Sequence, residues 1–199
     1  MTVEIVIATG NKGKLKEINE VILPLGYTGV AQKTLNVPEP EETGLTFVEN
    51  ALIKARNAAL ITGRPALADD SGLEVDALNG QPGIYSSRYA GINANDGDNV
   101  AKLIDALSSL PAEKRLARFQ CVMVYLRHAE DPTPLICQGT WEGQIALQAD
   151  GENGFGYDPV FFVPSEGCVA AALSSERKNA LSHRGQALKV LMTQLVKHS

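Results

Sequence analysis

The chain has 199 residues, of which 44 % are hydrophobic and 21 % charged, and its formal net charge is −5. A chain of this length buries a sizeable core without disulfide bonds, and its apolar content excludes intrinsic disorder. The negative charge repels nucleic acids and anionic membranes, so a phosphate-bearing ligand needs a local group of cations. The three cysteines form no zinc or disulfide pattern and no apolar run reaches 18 residues. We therefore expect a cytoplasmic protein with no membrane or nucleic-acid partner.

Apolar periodicity predicts strands and helices that alternate along the chain. Strands are predicted over residues 3–8, 65–68, 119–126, 135–141 and 160–163. Helices are predicted after residue 14, from the capping box at Thr46 to Gly63, over residues 98–110, and from Ser182 onward. Residues 36–46, 78–97 and 151–158 are predicted to be loops. This alternation indicates an α/β or α+β fold with a mixed sheet, in which residues 1–199 form one domain without a separable linker.

The first strand runs into a glycine-containing segment that opens a helix. Its residues are Thr9, Gly10, Asn11, Lys12, Gly13 and Lys14. Backbone N–H groups and the partial positive charge of a helix N-terminus favour an anion there, and the lysines add full charges. The spacing is not that of a Walker A loop, which has four residues between its glycines and a Ser or Thr after the lysine. The segment is either a phosphate-binding loop or an ordinary strand-to-helix turn.

Two adjacent carboxylates, Asp69 and Asp70, precede Ser71 and Gly72 at a predicted strand end. Because the two side chains point in different directions, one can face a cleft while the other makes structural hydrogen bonds. Magnesium prefers one or two carboxylates together with ligand phosphates and water. Asp70 with a glutamate of the 39–42 loop fits that preference, whereas an Asx-turn is the structural alternative.

A third segment combines glycines with aromatic residues, and it consists of Gly154, Phe155, Gly156, Tyr157 and Asp158. Glycines let the backbone approach a flat ligand while an aromatic ring stacks on it. The alternative is a hairpin loop whose aromatic residues only close the core.

A fourth segment places cationic and donor groups around the start of the last predicted helix. These groups belong to Arg177, Lys178, Ser182, His183 and Arg184. A helix N-terminus normally favours carboxylates, so a basic group there runs against local preference and indicates a binding role. A solvated basic face is the alternative.

Taken in order, these segments resemble the inosine/xanthosine triphosphate pyrophosphatase family, in its bacterial dITP/XTP pyrophosphatase form. The resemblance rests on ordered motifs between residues 9 and 184. They are Thr9-Gly10-Asn11-x-Gly13-Lys14, Glu41-Glu42-Thr43-Gly44-x-Thr46-Phe47-x-Glu49-Asn50-Ala51, Asp69-Asp70-Ser71-Gly72, Gly80-x-Pro82-Gly83-x-Tyr85-Ser86-x-Arg88, Phe155-Gly156-Tyr157-Asp158 and Ser182-His183-Arg184.

The resemblance implies a two-lobed α/β fold with a long twisted mixed sheet, flanking helices and an active-site cleft between the lobes. It also implies a homodimer and the Mg²⁺-dependent hydrolysis of ITP, dITP and XTP to the monophosphate and pyrophosphate. Such an enzyme removes deaminated purines from the nucleotide pool. A pyrimidine nucleoside triphosphate pyrophosphatase of similar design and a non-catalytic nucleotide-binding module remain as alternatives.

The resemblance also assigns roles to the candidate residues. Residues 9–14 would hold the phosphates, and Ser71 would contact the substrate. Asp70 would bind Mg²⁺ and orient or deprotonate the attacking water. Glu41 is the favoured second metal ligand and Glu42 the alternative, because their spacing does not separate them. Lys54 and Arg88 match positions of further cations. The base pocket would consist of Phe155, Gly156, Tyr157, Asp158, Lys178, His183 and Arg184.

Overall fold

The computed structural model describes residues 3–198 of the chain. The strands are β1 (Val3–Ile7), β2 (Tyr27–Ala31), β3 (Ala66–Val75), β4 (Leu116–Leu126), β5 (Leu135–Ile145), β6 (Phe161–Val163) and β7 (Cys168–Val169). The helices are α1 (Lys12–Ile22), α2 (Phe47–Thr62), α3 (Asp96–Leu107), α4 (Ser175–Leu181) and α5 (His183–His198). In this described part, no helix is both long enough and apolar enough to cross a lipid bilayer.

The strands form one sheet in the order β2-β1-β3-β4-β5-β6-β7. Strand β1 is parallel to both β2 and β3, whereas β6 is antiparallel to β5 and β7. The predicted α/β fold with a mixed sheet is therefore confirmed.

Alternate residues of the N-terminal strands pack against different helices, because successive side chains of a strand point to opposite faces. Ile5, Ile7 and Leu67 belong to a core cluster that also contains buried residues of α1 and α5. Val6 and Ala68 belong to another cluster, in which α2 contributes four alanines. The two faces of this part of the sheet therefore carry different helices.

Strand β3 is longer than the sequence predicts. It was expected to end before Asp69, but it continues through Asp69, Asp70 and Ser71 to Val75. The prediction was wrong because a pair of carboxylates usually marks a turn, whereas here each carboxylate has a lysine partner that lies far away in the sequence.

Several other boundaries differ from those predicted. Helix α1 already begins at Lys12, and α3 covers Asp96–Leu107 instead of residues 98–110. The prediction lacked β2, an edge strand whose residues are all partly exposed, and the short helix α4. Both elements are too short or too evenly exposed to show a clear apolar period.

The chain forms two compact units. The first unit contains the described residues up to 70 together with 121–139 and 186–198, and the second contains 71–120 and 140–185. The divisions fall inside β3, β4, β5 and α5 and not at a linker. The expectations of a single domain and of a cleft between lobes stay predictions.

Candidate active site

Asp69 and Asp70 are consecutive residues of β3, and each contacts a different lysine. Lys14 Nζ lies 2.8 Å from Asp69 Oδ2, and Lys54 Nζ lies 2.8 Å from Asp70 Oδ1. The alternation of side chains along the strand sends Asp69 toward α1 and Asp70 toward α2. The predicted divergence of the two carboxylates is confirmed, although it occurs within a strand.

The segment from Thr9 to Lys14 is held in place by its own side chains. Asn11 caps α1, and its Oδ1 accepts hydrogen bonds from the Gly13 and Lys14 N–H groups at 2.8 and 3.1 Å. The Asn11 N–H in turn donates to Thr9 Oγ1 at 3.1 Å. Lys12 is exposed in the first turn of the helix. The helix N-terminus is therefore already ordered, and it presents lysines from its first turn.

Glu39 lies beside this segment, a placement that the sequence did not predict. A Cβ atom at Gly10 would collide with Glu39 Oε1, so a larger residue there would require this exposed carboxylate to move. Nothing in the local sequence separates Glu39 from Glu41 and Glu42. The contact depends on how the 36–46 loop returns to the strand-to-helix turn.

A second carboxylate joins Asp70 at the same lysine. Glu42 Oε1 lies 2.9 Å from Lys54 Nζ, so one ammonium group contacts both Glu42 and Asp70. Lys54 is mostly buried, with 14 % of its side chain exposed. Glu41, by contrast, is an exposed residue. The structure therefore brings Lys54, Glu42 and Asp70 together.

The electrostatics of this cluster make Asp70 a stronger base than an ordinary aspartate. Burial raises the pKa of the Asp70 carboxyl group and outweighs the opposing attraction of Lys54. Burial alone would lower the pKa of Lys54, but the charges of Asp70, Asp69 and Glu42 raise it overall. Lys54 therefore stays protonated at neutral pH.

The donor set fits a magnesium ion that arrives with its phosphate ligand. Between residues 3 and 198, no three or more His, Cys, Asp or Glu side chains are grouped in a way that could hold a metal by themselves. Magnesium binds through one or two carboxylates and completes its octahedron with water and substrate phosphates. Asp70 and Glu42, which already share one cation, match that requirement.

The second set of candidate residues surrounds Phe155. The Lys178 Nζ atom lies 4.8 Å from the centre of the Phe155 ring, and the Arg184 guanidinium lies 5.7 Å from it. Phe155 is exposed, while both cations are buried. An aromatic ring flanked by cations has the composition of a base-stacking site.

The buried residue Asp158 binds both Lys178 and the backbone of Phe155. Its Oδ2 atom accepts hydrogen bonds from Lys178 Nζ at 2.6 Å and from the Phe155 N–H at 2.8 Å. Asp158 is buried, and its carboxylate contacts a lysine of α4 and the backbone of its own loop. The same carboxylate orients both the lysine and the backbone that carries the ring.

Gly156 and Tyr157 connect the loop of residues 151–158 to other residues of the second unit through hydrogen bonds. The Gly156 N–H donates to Asp96 Oδ2 at 2.7 Å, and the Tyr157 hydroxyl donates to the Ser86 carbonyl at 2.8 Å. Tyr157 is buried, and burial raises its pKa well above the ordinary value. Its hydroxyl therefore stays protonated and serves as a hydrogen-bond donor.

His183 and Arg184 begin α5, and both are buried. Arg184 Nη2 donates to Ser71 Oγ at 3.2 Å, which joins two predicted substrate contacts. His183 stacks on Phe119, a residue that the sequence did not single out. Arg88, predicted as a further cation, lies over the Tyr85 ring at 5.2 Å.

Comparisons with known proteins point to one family. Residues 5–194 match the model of the Ham1 family. The chain is 59 % identical over 192 residues to the dITP/XTP pyrophosphatase of Salmonella paratyphi A, and the match covers 96 % of this chain and 98 % of that protein. It is 58 % identical over 188 residues to the dITP/XTP pyrophosphatase of Vibrio cholerae, covering 94 % of each chain.

Solved structures show the same relationship. A HAM1 protein from Coxiella burnetii superposes with a TM-score of 0.93 at 52 % identity, covering 98 % of this chain and all of that one. The Ham1 protein of Staphylococcus aureus has a TM-score of 0.88 at 42 % identity, with the same coverage of each chain.

Proposed function

This chain belongs to the Ham1 family, and from that membership we propose that it hydrolyses ITP, dITP and XTP to the nucleoside monophosphate and pyrophosphate. Two relatives that it matches at 58–59 % identity over nearly their full length are dITP/XTP pyrophosphatases. The observation that carries the proposal is the pair Glu42 and Asp70 on one buried lysine. A nucleotide-binding module would have no use for a buried carboxylate of raised pKa beside a second carboxylate.

In the proposed reaction, Asp70 would hold the metal together with a glutamate of the 39–42 loop, and its carboxylate orients or deprotonates the water that attacks the substrate. A carboxylate whose pKa is raised accepts a proton more readily than an ordinary aspartate. Residues 9–14 bind the phosphates, and Lys14 and Lys54 neutralise charge that develops on the departing pyrophosphate. When bound at Asp70, Mg²⁺ would supply further neutralisation of phosphate charge and would activate water for the attack.

Selection of the base falls to the residues around Phe155. Hypoxanthine and xanthine carry a 6-oxo acceptor where adenine carries an amino donor. Lys178, His183 and Arg184 supply donors, so adenine would face them donor against donor. A site built on such hydrogen bonds can discriminate by about 10⁴- to 10⁵-fold, because a mismatched partner leaves buried groups unpaired.

The cellular setting belongs to the same proposal. We expect the enzyme to act on the nucleotide pool of the cytoplasm, as a homodimer, without a nucleic-acid or membrane partner. The net charge of −5 supports the last of these expectations, since it disfavours nucleic acids and anionic membranes as partners.

Product identification tests the reaction directly. The protein is incubated with Mg²⁺ and with ITP, XTP, GTP or ATP in parallel, and the products are separated by chromatography. IMP and XMP with pyrophosphate, and little product from GTP or ATP, are expected. Inosine diphosphate with free phosphate would mean that a different bond is cleaved. Absence of turnover would favour a pyrimidine substrate, and Mg²⁺-independent binding without product would favour a binding module.

The second metal ligand can be identified with three matched variants, Glu39→Gln, Glu41→Gln and Glu42→Gln. Glu42 contacts Lys54, and Glu39 lies against Gly10. We therefore expect either Glu42→Gln or Glu39→Gln to raise the Mg²⁺ concentration that gives a half-maximal rate. Glu41→Gln serves as the exposed control. If only Glu41→Gln raised this Mg²⁺ concentration, Glu41 would be the second metal ligand, as the sequence analysis favours.

A further inference from the structure

Behind His183 lies an aromatic cluster formed by Phe119 of β4, Trp141 of β5 and Phe161 of β6. All three belong to one core cluster of the second unit. No motif in the sequence marks these residues, and the roles proposed above do not use them. Because they lie next to His183, which is proposed to select the base, they can influence how its imidazole is oriented.

The Phe119 ring is stacked on the His183 imidazole. The ring centroids are 4.8 Å apart and the two planes are inclined by 14°. Trp141 lies nearly parallel to the same imidazole at 6.5 Å, with an inclination of 20°. Phe119, Trp141 and His183 are all buried, so no solvent layer separates the rings from their surroundings.

Phe161 packs at a tilt against Phe119 and Trp141. Its ring centroid lies 4.5 Å from that of Phe119 and 5.2 Å from that of Trp141, with tilts of 47° and 52°. Phe161 is fully buried, and a Cβ atom at Gly143 would come within 2.5 Å of its ring edge. Phe161 therefore adds packing to the cluster but is tilted away from the plane that Phe119 shares with the imidazole.

The plane of an imidazole determines where its hydrogen bonds can point, because both ring nitrogens direct their donor or lone pair within that plane. A neighbour stacked parallel to the ring therefore restricts the directions available to a bound base. We propose that Phe119 is a positioning residue that fixes the plane of His183 and thereby sets the discrimination between 6-oxo and 6-amino purines. This inference rests on the proposed function.

The first experiment compares kcat/KM for ITP and ATP in Phe119→Leu and Phe161→Leu. Both variants remove a ring from the same buried cluster, but only Phe119 is stacked on His183. We expect the ITP-to-ATP ratio to fall about 3- to 10-fold in Phe119→Leu, the range typical of one aromatic stack. In Phe161→Leu the ratio should stay within about twofold of the wild-type value, because this variant loses packing but keeps the Phe119 stack on His183. Equal falls in both variants would overturn the proposal.

A double-mutant cycle separates positioning from general destabilisation. If Phe119 acts through His183, then Phe119→Leu changes the ratio in the wild-type background but not in the His183→Ala background. The same fall in both backgrounds would mean that Phe119 does not act through the imidazole. If the wild-type protein hydrolyses no ITP, the proposed function itself fails. Hydrolysis of ITP with a ratio insensitive to Phe119 overturns only this inference.

A spectroscopic measurement covers the case in which Phe119→Leu does not fold. The chain has three histidines, so the imidazole proton resonances are few, and those lost in His183→Ala identify His183. A proton above an aromatic face is shielded, and His183 in the wild-type protein should therefore resonate upfield of the other two. That shift should persist in Phe161→Leu. Its absence from the wild-type spectrum would show that the stack does not form and would overturn the proposal.

Discussion

Neighbouring residues of the candidate site have different tasks because each has a different partner. Asp69 is fully buried on Lys14, whereas Asp70 keeps 11 % of its side chain exposed beside Lys54 and Glu42. The exposed fraction matters, since a carboxylate that handles a water molecule has to be reachable. Asp70 is therefore the member of the pair that is suited to the reaction.

Replacing Asp70 with asparagine tests this assignment. Asp70→Asn keeps the shape but removes the negative charge and the proton acceptor, so kcat for ITP should fall by about 100-fold or more. The fold should persist, as judged by circular dichroism. Asp105→Asn, a change at an exposed residue of α3, is the matched control and should keep wild-type turnover. Wild-type turnover by Asp70→Asn would remove Asp70 from the mechanism.

Asp131 has a structural task that depends on pH. Its carboxylate accepts hydrogen bonds from the Arg127 side chain and from the Arg127 and Thr133 N–H groups, which hold its pKa well below the ordinary value. Since the folded-state pKa is depressed, the stabilisation is fully present above the unfolded-state pKa of about 4 and is lost as pH falls below it.

We therefore expect Asp131→Asn to lower the free energy of unfolding at pH 7 by about 1 kcal/mol, a modest value because Arg127 is half exposed. The difference from wild type should shrink as the pH falls from 4 toward 2. Urea unfolding at several pH values measures it, with Asp105→Asn as the control. A difference that stays constant down to pH 2 would contradict the role of the charge.

At the scale of the element, the N-terminus of α1 shows how a helix cap can prepare a binding segment. Asn11 satisfies the Gly13 and Lys14 N–H groups, which would otherwise lack partners at a helix start. The same bonds order the backbone that carries Lys14 toward Asp69. A cap in this position therefore contributes both to helix stability and to the proposed phosphate site.

Asn11→Ala should separate these contributions. The free energy of unfolding should fall by about 1 kcal/mol, the usual cost of removing a cap, and KM for ITP should rise because the segment is less ordered. Asp131→Asn provides a control with a similar loss of stability at pH 7. Its KM should match that of the wild type. If KM rises equally in both variants, the effect reflects stability alone.

The elements themselves were predicted unevenly. The capping box at Thr46 and the glycine at position 63 bound α2 as expected, because both signals act within one helical turn. The end of β3 was predicted too early, since Asp69 and Asp70 are stabilised there by lysines of α1 and α2. Local rules cannot include a partner that folding brings from another element.

At the scale of the whole molecule, the chain passes between its two compact units within β3, β4, β5 and α5. A strand that belongs to both units cannot unravel in one without losing part of the other. We therefore expect the protein to unfold in one cooperative transition, in agreement with the single domain predicted from the sequence.

Two probes and one variant test this cooperativity. The single tryptophan, Trp141, lies in the second unit, so its fluorescence reports on that unit, while circular dichroism reports on all helices. Both probes should give the same urea midpoint. Asp131→Asn, a change in the first unit, should lower the Trp141 midpoint as much as that of circular dichroism. Two separate transitions would show that the units unfold independently.

The sequence by itself determined the fold class and the segments that carry anion-, metal- and base-binding residue types. These features depend on residue types and on spacings within a few helical turns, and both can be read directly from the sequence. Only the tertiary structure decided that Glu42 shares Lys54 with Asp70, that Glu39 lies against Gly10, and that Phe119 stacks on His183. These contacts join residues from separate strands, helices and loops, and their geometry arises only when the elements pack together.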